Sequence, residues 1–485
     1  MPYRLFVACG LLLALGGNTT RPQQKPAQFA PGDRRDAVWQ RPAARATGTP
    51  ERDRPNILWI LSEDISTDLA CYGTPVVKTP VLDQFAKDGI RYTNAFTTAP
   101  VCSPSRSAMI TGMYQTSIGA HNHRSHRDDG YTLPDPVKPI TEYLRQTGYF
   151  TVNVKTAAPG VVAITKTDFN FSLDHPAFDG TDWNQRKAGQ PFFAQLTIDE
   201  THRGKAWQTV VKQHSPRISP ESVVLPPYYP DHPVARADWA TYLESIQLMD
   251  SYVGKILQRL RDEGIAENTV VIFSGDNGRC HVRDKQFLYD GGIHVPLLIR
   301  WPGQVKAGQT NTDLVSAIDV SATILQLAGV SLPSHLDGRV LWGPGAKKRD
   351  YIIAARDRMD ETVDKMRCVR DKRYKYIKNY LPERPYMQSN NYKETQYPMW
   401  NLLKELNLAG KLTPAQALFV APTKPAEELY DITTDPDELQ NLAGDSRYRK
   451  TLNQMRGRLA DWVTNTNDQG QFPEKKIWLP AKKMD

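Results

Sequence analysis

The sequence predicts an α/β protein built on a doubly wound, mostly parallel sheet, and three observations carry that expectation. The first is a set of continuous apolar runs, Asn56–Ser62 (NILWILS), Phe192–Ile198 (FFAQLTI) and Thr269–Ser274 (TVVIFS). Apolar on both faces and bounded by polar turns, each reads as a strand buried on both sides. The second is helical periodicity between the runs, as in Trp239–Asp262 and Asp319–Ala328, so that strand and helix alternate along the chain. The third is placement. Each run ends in a polar cluster: Glu63-Asp64, Asp199-Glu200-Thr201-His202, and Gly275-Asp276-Asn277-Gly278. In such sheets ligands bind beyond the carboxyl ends of the strands, where all three clusters fall.

From the N-terminus, Met1–Arg4 is positively charged, and Leu5 to Leu15 is an apolar run broken only by Gly10. Ala14-Leu15-Gly16 puts small residues before a cleavage point. This predicts a signal peptide over 1–18, too short for a membrane span. Residues 19–53 are rich in Pro, Gln, Arg and Ala without apolar periodicity and read as a flexible linker. A catalytic domain over 54–348 is expected to follow. From Arg349 the texture changes to short candidate strands (Tyr351–Ala354, Met366–Val369, Tyr374–Ile377) and a terminal helix, Ser446–Asn465. This predicts a smaller C-terminal α+β subdomain over 349–485.

The chain has 485 residues, of which 40% are hydrophobic and 24% charged. That is enough for one large α/β domain and a smaller partner. The net charge is +8 and the pI near 9.0, which suits an anionic partner. No RNP, zinc-finger or basic-helix pattern points to nucleic acid. Export implies a secreted or periplasmic protein. Its remaining cysteines, Cys71, Cys102, Cys280 and Cys368, are too few for a disulfide framework, although one pair is compatible with the sequence.

The segment Val101-Cys102-Ser103-Pro104-Ser105-Arg106 carries the first chemistry. Pro104 fits the first turn of a helix, so Cys102 lies where exposed N–H groups and the helix dipole favour an anion. Arg106 follows one turn later. A nucleophile, a helix start and a guanidinium together describe an oxyanion site. The plainer alternative is a buried structural cysteine before an ordinary proline-initiated helix.

Cys102-Ser103-Pro104-Ser105-Arg106, continuing to Thr111-Gly112, resembles the signature C-x-P-S-R…T-G of the formylglycine-dependent sulfatases. Met109 stands where Leu is commoner. Further matches are Pro55-Asn56-Ile57-Leu58, Thr79-Pro80-Val81-Leu82-Asp83, Asn94-Ala95-Phe96 and Leu429-Tyr430-Asp431…Asp435-Pro436…Glu438…Asn441-Leu442. The resemblance implies an alkaline-phosphatase-like fold with a large mixed, mostly parallel sheet. It also implies that a maturation enzyme converts Cys102 to formylglycine. One hydroxyl of the hydrated aldehyde then attacks sulfur, and the other later expels sulfate.

Glu63, Asp64, Asp276 and Asn277 offer three carboxylates and an amide, oxygen ligands for a hard cation, Ca²⁺ or Mg²⁺. No Cys/His spacing suggests zinc. The resemblance implies Ca²⁺, with Glu63 standing where the family usually has Asp. By the same resemblance His202, in Thr201-His202-Arg203, protonates the leaving group, and Lys285 holds a sulfate oxygen. Lys166 matches the lysine of the family's G-K-x-H segment, but Thr165 precedes it and Asp168 replaces the His; Lys155 is a rival for the same role. His121, His123 and Arg124 lie in a His- and Arg-dense stretch that can bind the anionic groups of a sugar. Arg358, Asp360 and Glu361 are further candidates for the same pocket. Leu225-Pro226-Pro227-Tyr228-Tyr229-Pro230-Asp231 is similar to the heparan N-sulfatase branch, which implies sulfated polysaccharide as substrate. A phosphate or phosphonate monoester hydrolase on the same scaffold remains an alternative, as does a non-catalytic protein that binds sulfated glycans.

Overall fold

The computed structural model describes residues 54–213 and 217–474. The expected signal peptide and linker lie outside the described residues. In chain order the strands are β1 (Asn56–Ser62), β2 (Ile90–Phe96), β3 (Phe150–Asn153), β4 (Thr156–Ala158), β5 (Val161–Val162), β6 (Phe192–Ile198), β7 (Thr269–Gly275), β8 (Leu297–Arg300), β9 (Gln309–Ser316), β10 (Ile352–Arg356), β11 (Met366–Arg370), β12 (Tyr374–Asn379) and β13 (Glu427–Asp431). The helices are α1 (Pro80–Asp88), α2 (Cys102–Thr111), α3 (Ile140–Gln146), α4 (Lys205–Gln213), α5 (Pro233–Asp262), α6 (Asp290–Ile293), α7 (Ala317–Leu327), α8 (Asn391–Gln396), α9 (Pro398–Leu408), α10 (Pro414–Val420) and α11 (Arg449–Asn465).

Seven strands form one sheet in the order β3-β6-β1-β7-β8-β2-β9. All neighbours are parallel except that β8 runs antiparallel to both β7 and β2. The sheet is therefore mixed and mostly parallel, with the fully buried strands β6, β1 and β7 side by side and β7 in the middle of the seven. All seven β1 residues are buried, and its side chains alternate between two cores. Leu58 and Ile60 join Phe192, Leu196 and Phe273 on one face, with Trp239, Leu243 and Ile246 of α5. Ile57, Trp59 and Leu61 join Phe193 and Ile272 on the other, with Ile324 and Leu325 of α7. Burial on both faces explains why these strands read as continuous apolar runs rather than alternating ones.

The C-terminal residues form a second, four-stranded antiparallel sheet, β10-β11-β12-β13, with α11 packed on it through Leu452, Met455, Leu459 and Trp462. The Ala355 N–H of β10 donates to Thr98 O, at 2.9 Å, in the loop that leads into α2. The small sheet thus touches the segment carrying Cys102. No described helix is long and apolar enough to cross a membrane. The four described cysteines are all free thiols.

Candidate active site

β1, β6 and β7 run side by side in one direction, so their carboxyl ends open on the same edge of the sheet. That parallel register brings Glu63-Asp64, Thr201-His202 and Asp276-Asn277 together. β2 ends on the same edge and leads through Thr97–Val101 into α2. α2 begins with Val101 in extended backbone, so Cys102 is the first helical residue and Pro104 sits in the first turn. Gly112 closes the helix at φ 67°, a left-handed position that suits glycine, which accounts physically for the Thr111-Gly112 end of the motif. Every residue of α2 is buried.

Asp64 is the hub. Its N–H donates to Asp276 Oδ1 at 3.1 Å, and its carboxylate accepts from Lys285 Nζ at 2.7 Å and from Asn277 Nδ2 at 2.9 Å. The Cys102 Sγ lies 3.9 Å from Asp64 Oδ1. Glu63 accepts from Lys166 Nζ at 2.6 Å and from Arg106 at 3.0 Å. Arg106 also donates through Nε to Asp276 Oδ2 at 3.0 Å and to Thr197 Oγ1, near the end of β6, at 3.1 Å. His202 Nε2 stands 3.9 Å from both Glu63 Oε2 and Asp64 Oδ2. Its side chain is 32% exposed, whereas the carboxylates are sealed, so His202 faces the opening.

Charge sets the protonation states. Burial alone would raise the Glu63 carboxyl, but Lys166, His202 and Arg106 outweigh it and hold it below the usual carboxylate range. Burial likewise opposes ionisation of Asp64, and Lys285 and His202 overcome it. Burial pushes the Cys102 thiol up to about 12, against the pull of Lys166 and Lys285. Burial also lowers the His202 pKa, partly offset by Asp64.

Glu63, Asp64, Asp276 and Asn277 fit a divalent cation. All four are buried, and the buried Asn277 Oδ1 has no hydrogen-bond partner among the described residues, although buried polar atoms are normally paired. Ligand atoms of Glu63, Asp276 and Cys102 lie within 4.8 Å of one another. An all-oxygen set of three carboxylates and an amide suits a hard divalent cation. Gly278 makes the turn possible, since a Cβ there would lie 2.2 Å from Gly291 O.

The fold thus gathers Cys102, Arg106, Lys166, His202, Lys285, Glu63, Asp64, Asp276 and Asn277. Lys166 and not Lys155 reaches the carboxylates; Lys155 is exposed, and its ammonium meets none of them. Asp168 is paired with Arg127 and lies 3.9 Å from Lys166 Nζ. His123 and Arg124 sit at the rim, where Ser103 Oγ is 2.9 Å from His123 Nδ1 and accepts the Arg124 N–H at 2.9 Å. His121 does not join them. Its ring lies in the electrostatic field of Asp357, which follows β10, and of Arg367 on β11, and its buried Nδ1 has no partner among the described residues. Sequence reasoning also missed Thr197, Tyr392 and Lys393. The Lys285 ammonium lies 5.5 Å from the centre of the Tyr392 ring, and Lys393 Nζ donates to Lys285 O at 2.8 Å, bracing that lysine from the C-terminal part. No local pattern marks these three.

Comparison with known proteins identifies the family. The sulfatase family profile matches residues 55–330, and the profile of the N-sulphoglucosamine sulphohydrolase C-terminal region matches 278–405. An ulvan-active sulfatase of Formosa agariphila is 33% identical over 89% of this chain and 78% of its own length. Human N-sulphoglucosamine sulphohydrolase is 28% identical over 86% of this chain and 91% of its own. Among solved structures, the phosphonate monoester hydrolase of Agrobacterium radiobacter shares the fold, with a TM-score of 0.60 at 20% identity, covering 86% of this chain and 97% of that one. With the family profile spanning more than half of its length and a 33% identical relative matched over 89% of this chain, the chain belongs to the sulfatase family and is a sulfuric ester hydrolase.

Proposed function

We propose that the protein is an exported sulfatase, secreted or periplasmic, that acts on sulfated polysaccharide. In this reading a maturation enzyme converts Cys102 to formylglycine, and Glu63, Asp64, Asp276 and Asn277 hold Ca²⁺. The observation that carries it is Cys102 at the first turn of α2, 3.9 Å from Asp64 and one turn from Arg106. Relatives named for ulvan and for N-sulphoglucosamine support a sulfate ester or sulfamate on a sugar as the substrate.

The hydrated aldehyde supplies an oxygen nucleophile and a release route that a thiol lacks, and the cation supplies a Lewis acid for a sulfuryl oxygen. The remaining work belongs to side chains. Arg106 hydrogen-bonds Asp276, Thr197 and Glu63, and its Nη2 also lies 3.0 Å from Asp276 Oδ2, which still leaves a donor on Nη1 for an anion. Lys166 and Lys285 supply point charges beside it in a site largely shielded from water, where such charges act strongly. His202, facing the opening, donates the proton that the departing sugar oxygen or nitrogen requires.

The test is the mass of the Cys102 peptide from a host with a maturation enzyme, together with turnover of aryl sulfate and aryl phosphate. A formylglycine mass and a preference for sulfate are expected. Preference for phosphate would favour a phosphomonoester or phosphonate hydrolase. Tight glycan binding without turnover would favour a binding protein.

A further inference from the structure

The 121–127 loop brings several cations to the rim, and their surroundings differ. His123 is buried between Ser103 Oγ, 2.9 Å from Nδ1, and Asp360 Oδ1, 3.5 Å from Nε2. Burial lowers its pKa to about 4, so it is a neutral strut at ordinary pH. Arg127 is neutralised by Asp168. Arg124 is neither buried nor docked. Its side chain is 47% exposed, and its guanidinium donates no hydrogen bond among the described residues. The carboxylate beside it, Asp360 Oδ1, is 3.9 Å away, well beyond the 2.7–2.9 Å of a docked Arg–carboxylate fork.

The backbone under this free fork is nonetheless fixed. The Arg124 N–H donates to Ser103 Oγ, and the His123 N–H donates to Arg358 O at 2.9 Å. Arg124 has φ 54° and Asp360 φ 50°, left-handed conformations that non-glycine residues keep only where their surroundings impose them. Arg358 ties the two loops together by donating to His123 O and Asp360 O at 3.2 and 2.8 Å. The loop touches Ser103, next to Cys102, at one point and Asp168, two residues from Lys166, at another. A sugar whose sulfate lies at Cys102 therefore passes this rim.

We propose that Arg124 is a specificity-determining residue that binds a second oxyanion of the substrate, a sugar carboxylate or an additional sulfate, while Asp360 accepts a hydrogen bond from a sugar hydroxyl beside it. The preferred substrate then carries two anionic groups. This rests on the sulfatase reading of the adjoining site, but binding can be measured apart from turnover.

The experiment is calorimetric titration in a Cys102→Ala background, where hydrolysis does not interfere. The probes are heparin disaccharides carrying one or two sulfates, and ulvan oligosaccharides before and after reduction of their carboxyl groups. Adding Arg124→Gln is expected to raise the Kd of the two-anion probe about tenfold or more, with Arg124→Lys intermediate. Removing the responsible anion from the probe should weaken the Cys102→Ala protein equally and leave no further loss for Arg124→Gln. Whether reduction or desulfation has that effect tells carboxylate from sulfate. Kd values within twofold for every probe would overturn the proposal. So would equal loss on single-anion and two-anion probes, or no binding of any probe at millimolar concentration. Melting curves, with Arg124→Lys as the conservative control, separate a folding defect from a binding one. Failure of the sulfatase reading shows elsewhere, in the Cys102 peptide mass and aryl sulfate turnover.

Discussion

Arg106 and Arg367 are both buried among carboxylates, yet they are held differently. Arg367, on β11 of the small sheet, places all five of its N–H donors: two on Asp468, one on Asp357 and two on the carbonyls of Arg356 and Met366. Arg106 places three in hydrogen bonds, with Nη2 also 3.0 Å from Asp276 Oδ2, and keeps a donor on Nη1. A saturated guanidinium is a structural brace with nothing left for a ligand. One with a spare donor, next to a carboxamide oxygen that also lacks a partner, is arranged for something that comes and goes. Saturation of hydrogen bonding, rather than burial or charge, separates these two arginines.

Four tests bear on this contrast. The largest effect is expected at Cys102. Cys102→Ala should lower kcat for an aryl sulfate by about 10³-fold or more while leaving the circular dichroism spectrum unchanged; retained turnover would remove α2 from the chemistry. Next comes the arginine pair itself. Arg106→Lys keeps the charge but loses the fork, and should cut kcat/KM by about 10²-fold with a small shift in melting temperature. Arg367→Met should instead cost about 3–5 kcal/mol in urea unfolding, because it strands Asp468 and Asp357 without their partner. Similar phenotypes for both variants would break the comparison.

The third test is the metal. After chelation, Ca²⁺ at a hundredfold excess over its Kd should stabilise the fold by about 2.7 kcal/mol, read as a rise in melting temperature. Asn277→Ala should lose most of that rise, and a chelated protein indifferent to Ca²⁺ would argue against the site. The smallest effect concerns a second glutamate. Glu63 has cations around it and stays ionised, whereas burial and Asp199 raise the Glu200 pKa to about 7. A carboxyl whose pKa is raised by folding contributes its stability below the unfolded value, near 4.5, and loses it as pH rises through about 7. Glu200→Gln should therefore match the wild type at pH 4 and exceed it by about 1 kcal/mol at pH 8, after allowance for residual solvent. Parallel pH–stability curves would show that Glu200 is better solvated than its setting suggests.

Much of this was legible in the sequence because both signals are local. β1, β6 and β7 coincide with the three apolar runs almost residue for residue, since strands buried on both faces leave no polar alternation to obscure them. The strand ends then named the acidic cluster, and the C-x-P-S-R motif named the helix. What could not be read depends on tertiary geometry. Lys155 and Lys166 are equivalent as sequence, and only the fold directs one to Glu63 and the other to solvent. His121 and His123 are two residues apart, yet the first is set near Asp357 and Arg367 and the second between Ser103 and Asp360. Thr197 is one apolar-strand residue among seven until Arg106 is packed against it. The antiparallel turn of β8 between β7 and β2 also has no signature in its four residues.

The burial of α2 has a further consequence, in the timing of events during synthesis. Its sequence, CSPSRSAMIT, is short, has no apolar stripe and contains a proline, so it has little tendency to form a helix alone. In the folded chain it is packed against α7 and the small sheet. In the unfolded chain the segment is an accessible peptide; in the folded one Cys102 is only 3% exposed. Any protein that modifies this cysteine must therefore reach the chain while it is still incomplete or unfolded, so the competence of the site is decided before the site exists.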